Sequence, residues 1–134
     1  MKRYILDACA LIAYLNDEEG AAVIEDLFSS NKEIFMSVVN LYEVCYDAVR
    51  TSDNEHNVLE VLETVRQLPI MVVWEINDEL LQAAARFKVH YRISLADSFA
   101  LGLADILEAV IVSADHHELE PVEQSGEVSL LWFR

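Results

Sequence analysis

The sequence predicts an α/β domain with a mainly parallel sheet and helices on both of its faces. Two observations lead there. Short apolar runs near residues 3–6, 34–36, 70–74 and 110–112 alternate with longer stretches whose apolar residues recur at helical spacing. The runs at 70–74 and 110–112 are apolar throughout and rich in β-branched residues, as in strands covered on both faces. Strands separated by helices imply right-handed crossovers, and hence a parallel sheet.

Element by element, residues 3–6 form a brief β-rich run that stops at Asp7, and residues 8–15 follow as a short helix. Residues 21–28 make a second helix, with Ile24, Leu27 and Phe28 on one side. After the strand at 34–36, Ser37 stands where a helix cap belongs, ahead of residues 38–49. In that helix Leu41, Val44, Cys45 and Ala48 form a buried stripe, and Glu43 lies off it. A polar loop at 51–54 leads to a fourth helix marked by Val58, Val61, Leu62 and Val65 and closed by Pro69.

Beyond the strand at 70–74, Asn77 can cap the next helix, with Asp78 and Glu79 where the helix dipole favours negative charge. Ser94-Leu95-Ala96-Asp97 has the shape of a capping box, Asp standing in for the usual Glu. The helix it opens is expected to bury Ala96, Phe99, Ala100, Leu103 and Leu107. Residues 110–112 form a strand ending at Ser113-Ala114-Asp115, and residues 128–133 form the last one.

Composition narrows the class. A length of 134 residues suits a single domain spanning 1–134, and 54% apolar residues are too many for a disordered chain. No apolar run approaches the roughly 20 residues that span a bilayer, and Asp7 interrupts the basic start before a signal-peptide core develops. Cys9 and Cys45 are too few for a disulfide framework, so a reduced, cytoplasmic setting is expected. Nine Lys and Arg against 24 Asp and Glu give a net charge of −15, which argues against a protein that coats nucleic acid by charge alone. The charge is compatible with an enzyme that meets nucleic acid through a bound cation.

In parallel α/β sheets the functional crevice lies outside the carboxyl ends of the strands. Asp7 follows the first strand and Asp115 the fourth. Asp97 occupies the first turn of a helix that starts at that same edge, and Glu43 the second turn of another. Each has an ordinary reading: Asp7, Asp97 and Asp115 suit helix caps, and Glu43 suits a solvated helix face. Gathered in one crevice, however, four carboxylates would repel unless protonated or neutralised by a cation, and an all-oxygen set favours Mg²⁺ or Mn²⁺. The implied chemistry is metal-assisted phosphodiester hydrolysis.

Four segments carry a family resemblance: Tyr4-Ile5-Leu6-Asp7, Asn40-Leu41-Tyr42-Glu43, Ser94-Leu95-Ala96-Asp97-Ser98-Phe99-Ala100 and Ile111-Val112-Ser113-Ala114-Asp115. In this order the chain resembles PIN-domain ribonucleases, and most of all the VapC toxins of toxin–antitoxin pairs. The resemblance implies a three-layer α/β/α sandwich, a metal-dependent endoribonuclease and an acidic quartet of Asp7, Glu43, Asp97 and Asp115 holding Mg²⁺ or Mn²⁺. It implies that Ser113 orients a water or a neighbouring carboxylate. It further implies an RNA substrate, a homodimer and inhibition by a VapB-type antitoxin. Cys9 stands where many relatives carry Ser or Thr, and Leu119 where they often carry an aromatic.

The remaining features are open to two readings. Residues 86–92 concentrate positive charge, either complementing a helix C-terminus or forming a phosphate-contacting rim in which Arg92 stands nearest Asp97. His116 and His117 read as solvated, since neighbouring helical residues point apart and no third nitrogen or sulfur ligand is close in sequence. Both cysteines sit on apolar stripes and read as packing residues. The competing functional class is a catalytically silent module of the same fold that binds a protein partner, which the high negative charge favours.

Overall fold

The structure, a computed structural model, describes residues 2–134. It contains β1 (Arg3–Leu6), α1 (Ala8–Leu15), α2 (Ala21–Ser29), β2 (Glu33–Ser37), α3 (Val38–Ser52), α4 (Asn57–Gln67) and β3 (Met71–Val73). Then come α5 (Asp78–His90), α6 (Leu95–Leu107), β4 (Val110–Ser113), α7 (His116–Ser125) and β5 (Leu130–Trp132). The strands form one parallel sheet in the order β3-β2-β1-β4-β5. The chain runs outward from β1 through β2 to β3, then returns to lay β4 on the other side of β1. The order therefore reverses between β1 and β4, the switch point at which such sheets open a crevice.

Alternation along the central strands builds the two helical layers. Ile5 and Ile111 face a core shared with Leu80, Phe87 and Ile93 and with Phe99, Ala100 and Leu103 of α6. Leu6, Val112 and Ile34 face the opposite way, onto α1 and α2. Met36 on that second side joins Leu11, Leu41, Val44, Val61 and Val65, which ties α1, α3 and α4 together. The α/β/α sandwich is thus present. Between α5 and α6 the backbones come very close: a Cβ on Gly102 would lie 2.8 Å from the Ala84 nitrogen.

Several boundaries differ from those expected. The run at 70–74 is not covered on both faces: β3 is the sheet's edge, only three residues long, with Met71 and Trp74 exposed. An apolar run cannot itself distinguish a central strand from an edge strand. The last strand contracts to Leu130–Trp132, while α3 continues through the polar 51–52 pair, with Thr51 and Ser52 hydroxyls donating to the Asp47 and Ala48 carbonyls. The helix after Asp115 runs to Ser125 and carries Pro121 within it. Leu107 packs against the core only partly buried. Among the described residues no helix is long and apolar enough to cross a membrane.

Candidate active site

The helix caps bring the acids to one edge. Asp7, directly after β1, caps α1: its Oδ1 accepts the Ala10 N–H at 2.9 Å. Asp115, just past β4, caps α7 by accepting the Glu118 N–H at 3.3 Å. Ser113 ends β4 fully buried, and its Oγ accepts the Asp115 N–H at 3.0 Å. Ser94 caps α6 by accepting the Asp97 N–H at 3.1 Å. The ordinary capping readings of Asp7 and Asp115 are therefore true, and compatible with a site.

Asp7, Glu43, Asp97 and Asp115 all line a single cleft of about 330 Å³, together with Cys9, Ser94, Glu118 and Arg134. The structure thus brings together the four acids singled out in the sequence, from four separate elements. Asp7 and Asp97 are buried, Asp115 is half-buried, and Glu43 reaches the rim from the exposed side of α3. Asp97, Asp115 and Glu118 form the tightest group, each offering a carboxylate oxygen within 4.8 Å of the others.

Glu118 escaped the sequence reading, although Asp115-His116-His117-Glu118 has capping-box spacing that could have flagged it. Two such boxes meet here, and neither closes on itself. Glu118 Oε2 accepts the Ser94 N–H at 3.2 Å, the bond Asp97 would make in a closed box. The Asp115 N–H in turn goes to Ser113 rather than to Glu118. Asp97 is consequently released from capping duty, and its Oδ2 is buried with no hydrogen-bond partner among the described residues. Capping alone does not account for this acid.

The charges are mutually costly. Burial, then the adjoining Glu118 carboxylate and the nearby charges of Asp7 and Asp115, push the Asp97 carboxyl well above the usual range. Glu118 moves the other way, held low chiefly by its closeness to the Asp97 carboxyl. Burial also raises Asp7, against the opposing pull of the Ser113 hydroxyl, the Cys9 thiol and the Ala10 N–H. Partial burial and the charges of Asp7 and Glu118 raise Glu43. Cys9 is more than packing: its Sγ lies 3.0 and 3.2 Å from the two Asp7 oxygens, and burial with that negative neighbour keeps the thiol protonated.

An orphaned carboxylate oxygen, three converging acids and raised carboxyls fit a hard divalent cation, which would displace the protons and satisfy the oxygens. Of the other candidates, Arg92 is exposed on the connection between α5 and α6, outside the residues that line the cleft. Its cationic neighbours have structural partners: Arg86 pairs with Glu127 and Asp105, and Lys88 donates to the Ile93 carbonyl. His116 stacks on Trp132 and lies 2.9 Å from Glu120, while His117 is exposed.

A family model for the PIN domain matches residues 4–121. The chain belongs to the PIN-domain family. Among solved structures, this PIN domain is similar to a chain of DNA-bound VapBC from Salmonella typhimurium, at 16% identity and TM-score 0.72, with 100% of both chains covered. VapBC2 from Rickettsia felis, bound to a DNA fragment from its promoter, matches at 15% identity and TM-score 0.71, covering 97% of this chain and 98% of that one. A toxin–antitoxin complex from Klebsiella pneumoniae matches at 13% identity and TM-score 0.71, covering 98% of each chain. At such identities the likeness is one of fold. No curated protein matches this sequence.

Proposed function

We propose that this PIN domain is a metal-dependent endoribonuclease, the toxin of a VapBC-type pair, acting in the cytoplasm. The observation that carries the nuclease reading is Asp97: a buried carboxylate with an unpartnered oxygen, next to Asp115 and Glu118 in a cleft that Asp7 and Glu43 also line. Asp7, Asp97, Asp115 and Glu118 would hold Mg²⁺ or Mn²⁺, with Glu43 at the rim. A divalent cation so held supplies positive charge against the phosphodiester and polarises water for attack. The chain's own residues set the geometry. Ser113 fixes the backbone at Asp115, Cys9 and Ala10 fix Asp7, and Ser94 locks the first turn of α6.

The toxin reading rests on the company this fold keeps, toxin–antitoxin complexes among them. A groove between α1, α3 and α4 suits an antitoxin segment. Ile12, Leu15, Val44, Ala48 and Val61 give it an apolar lining, and Asp47 and Glu60 add negative charge that would favour a basic amphipathic helix. Exposed Tyr42 and Tyr46 on α3 and Trp74 beyond β3 supply apolar surface for a homodimer.

The test is cleavage of RNA by the purified protein with Mg²⁺ or Mn²⁺, beside chelator and an Asp97→Asn variant. Metal-dependent cleavage that the variant loses is expected. Cleavage of equal strength in the variant would refute the site, and none of any RNA with metal would leave the partner-binding module.

A further inference from the structure

We infer that Arg134 is the side chain through which this protein grips the phosphate backbone of its substrate, an inference that rests on the nuclease reading above. A polyanion approaching the cleft meets the carboxylates of Asp7, Glu43, Asp97, Asp115 and Glu118 on a chain of net charge −15. Even with a divalent cation in place the cleft stays negative, so a fixed cation at its rim is needed to seat a phosphate. Among the described residues lining the cleft, Arg134 is the one Lys or Arg. Arg92, the residue suggested by the sequence, is not one of them.

Arg134 is placed rather than free. It follows β5, the strand beside β4, and its main-chain oxygen lies 2.8 Å from His116 Nε2. That imidazole is stacked on Trp132, with ring centroids 3.9 Å apart and planes within 16°. The residue next to Asp115 thus holds the backbone of Arg134 at the cleft. The guanidinium itself is lightly tethered: Nη1 donates to the Glu19 carbonyl at 3.0 Å and to Glu18 Oε1 at 3.4 Å. Its Nε and Nη2 make no hydrogen bond among the described residues. A planar fork with one edge anchored and the other open suits a phosphate oxygen pair.

The alternative is that Arg134 only straps the chain to Glu18, and the experiment separates the two. Binding of a labelled oligouridylate is measured by fluorescence anisotropy across salt concentrations, with Ca²⁺ as the cation to hold back cleavage. Arg134→Ala should bind about tenfold more weakly, as loss of one charged hydrogen-bonding contact implies. Its log–log salt slope should be shallower by about 0.7, the value for one phosphate of a single strand. Arg134→Lys should keep most of the slope. Glu18→Gln, which releases the strap but keeps the cation, should bind as well as the wild type. Unchanged affinity and slope in Arg134→Ala would overturn the inference, as would equal weakening by Glu18→Gln. Wild-type binding that depends on Arg134 without any Mn²⁺-dependent cleavage would uphold the grip and sink the nuclease reading. An absence of wild-type binding at every salt concentration would overturn the inference, while the nuclease reading stands or falls on the cleavage test.

Discussion

Glu118 Oε2 takes the Ser94 N–H at 3.2 Å, a hydrogen bond that joins α7 to the cap of α6 across 24 residues of sequence. This bond frees Asp97 from its own cap and sets it beside Glu118 and Asp115. The cleft therefore depends on Glu118 in two ways, as a backbone acceptor and as a negative charge. Glu118→Gln keeps an acceptor for Ser94 and removes the charge. Mn²⁺ affinity measured by calorimetry should drop by more than the about tenfold that loss of a partner behind a metal ligand costs, while the circular dichroism spectrum stays the same.

Asp97→Asn should separate chemistry from folding. RNA cleavage should fall by about 10² or more, since charge held at the reacting centre is among the largest catalytic contributions. Without metal, the variant should melt no lower than the wild type, because a neutral amide replaces a carboxyl that burial already disfavours as an anion. A cation at about a hundredfold its dissociation constant adds about 2.7 kcal/mol to a folded state that binds it. The variant should lose most of that gain in a melting experiment with Mn²⁺.

The pH dependence has a definite sign. The Asp97 carboxyl is raised in the folded state above its ordinary 3.8, chiefly by burial, so the native protein keeps a proton that the unfolded chain has released. That contribution to stability is fully present below the ordinary carboxylate value and is lost as pH rises toward the raised one. Asp7 and Glu43 shift in the same direction. The metal-free melting temperature should therefore decline as pH rises from the mildly acidic range through neutrality. Mn²⁺ binding should tighten over the same range and release protons, detectable by calorimetry in buffers of different ionisation enthalpy.

Cys9 supplies the hydrogen that Asp7 accepts on the helix side of the cleft. Cys9→Ser preserves a donor and should retain metal affinity and cleavage within about threefold, given the modest difference between comparable hydrogen bonds. Cys9→Ala removes it, leaving Asp7 less favoured as an anion. Its Mn²⁺ affinity should fall by about tenfold.

Gly102 tests the support beneath Asp97. A methyl group there meets the Ala84 backbone at 2.8 Å, and backbone cannot swing aside as a flexible side chain can. Gly102→Ala should cost about 1–3 kcal/mol, the usual range for overpacking, read as a lower urea midpoint with an unchanged slope.

The sequence by itself determined the layers and the places of the acids. Short apolar runs, helical stripes and caps such as Ser37 and Asn77 act within a few residues, so a local pattern records them. Once those runs imply a parallel sheet, Asp7 and Asp115 must emerge at its carboxyl edge. Tertiary structure alone decided that residues 71–73 form an edge strand and that Glu118, rather than Asp97, caps Ser94. It also decided that Cys9 faces Asp7 beside Ser113, and that Arg134 reaches the cleft while Arg92 does not line it. Ser113 and Cys9 are separated by 104 residues and Arg134 and Glu18 by 116. Contacts over such separations form only when independent elements pack together, and no short-range periodicity carries a record of that packing.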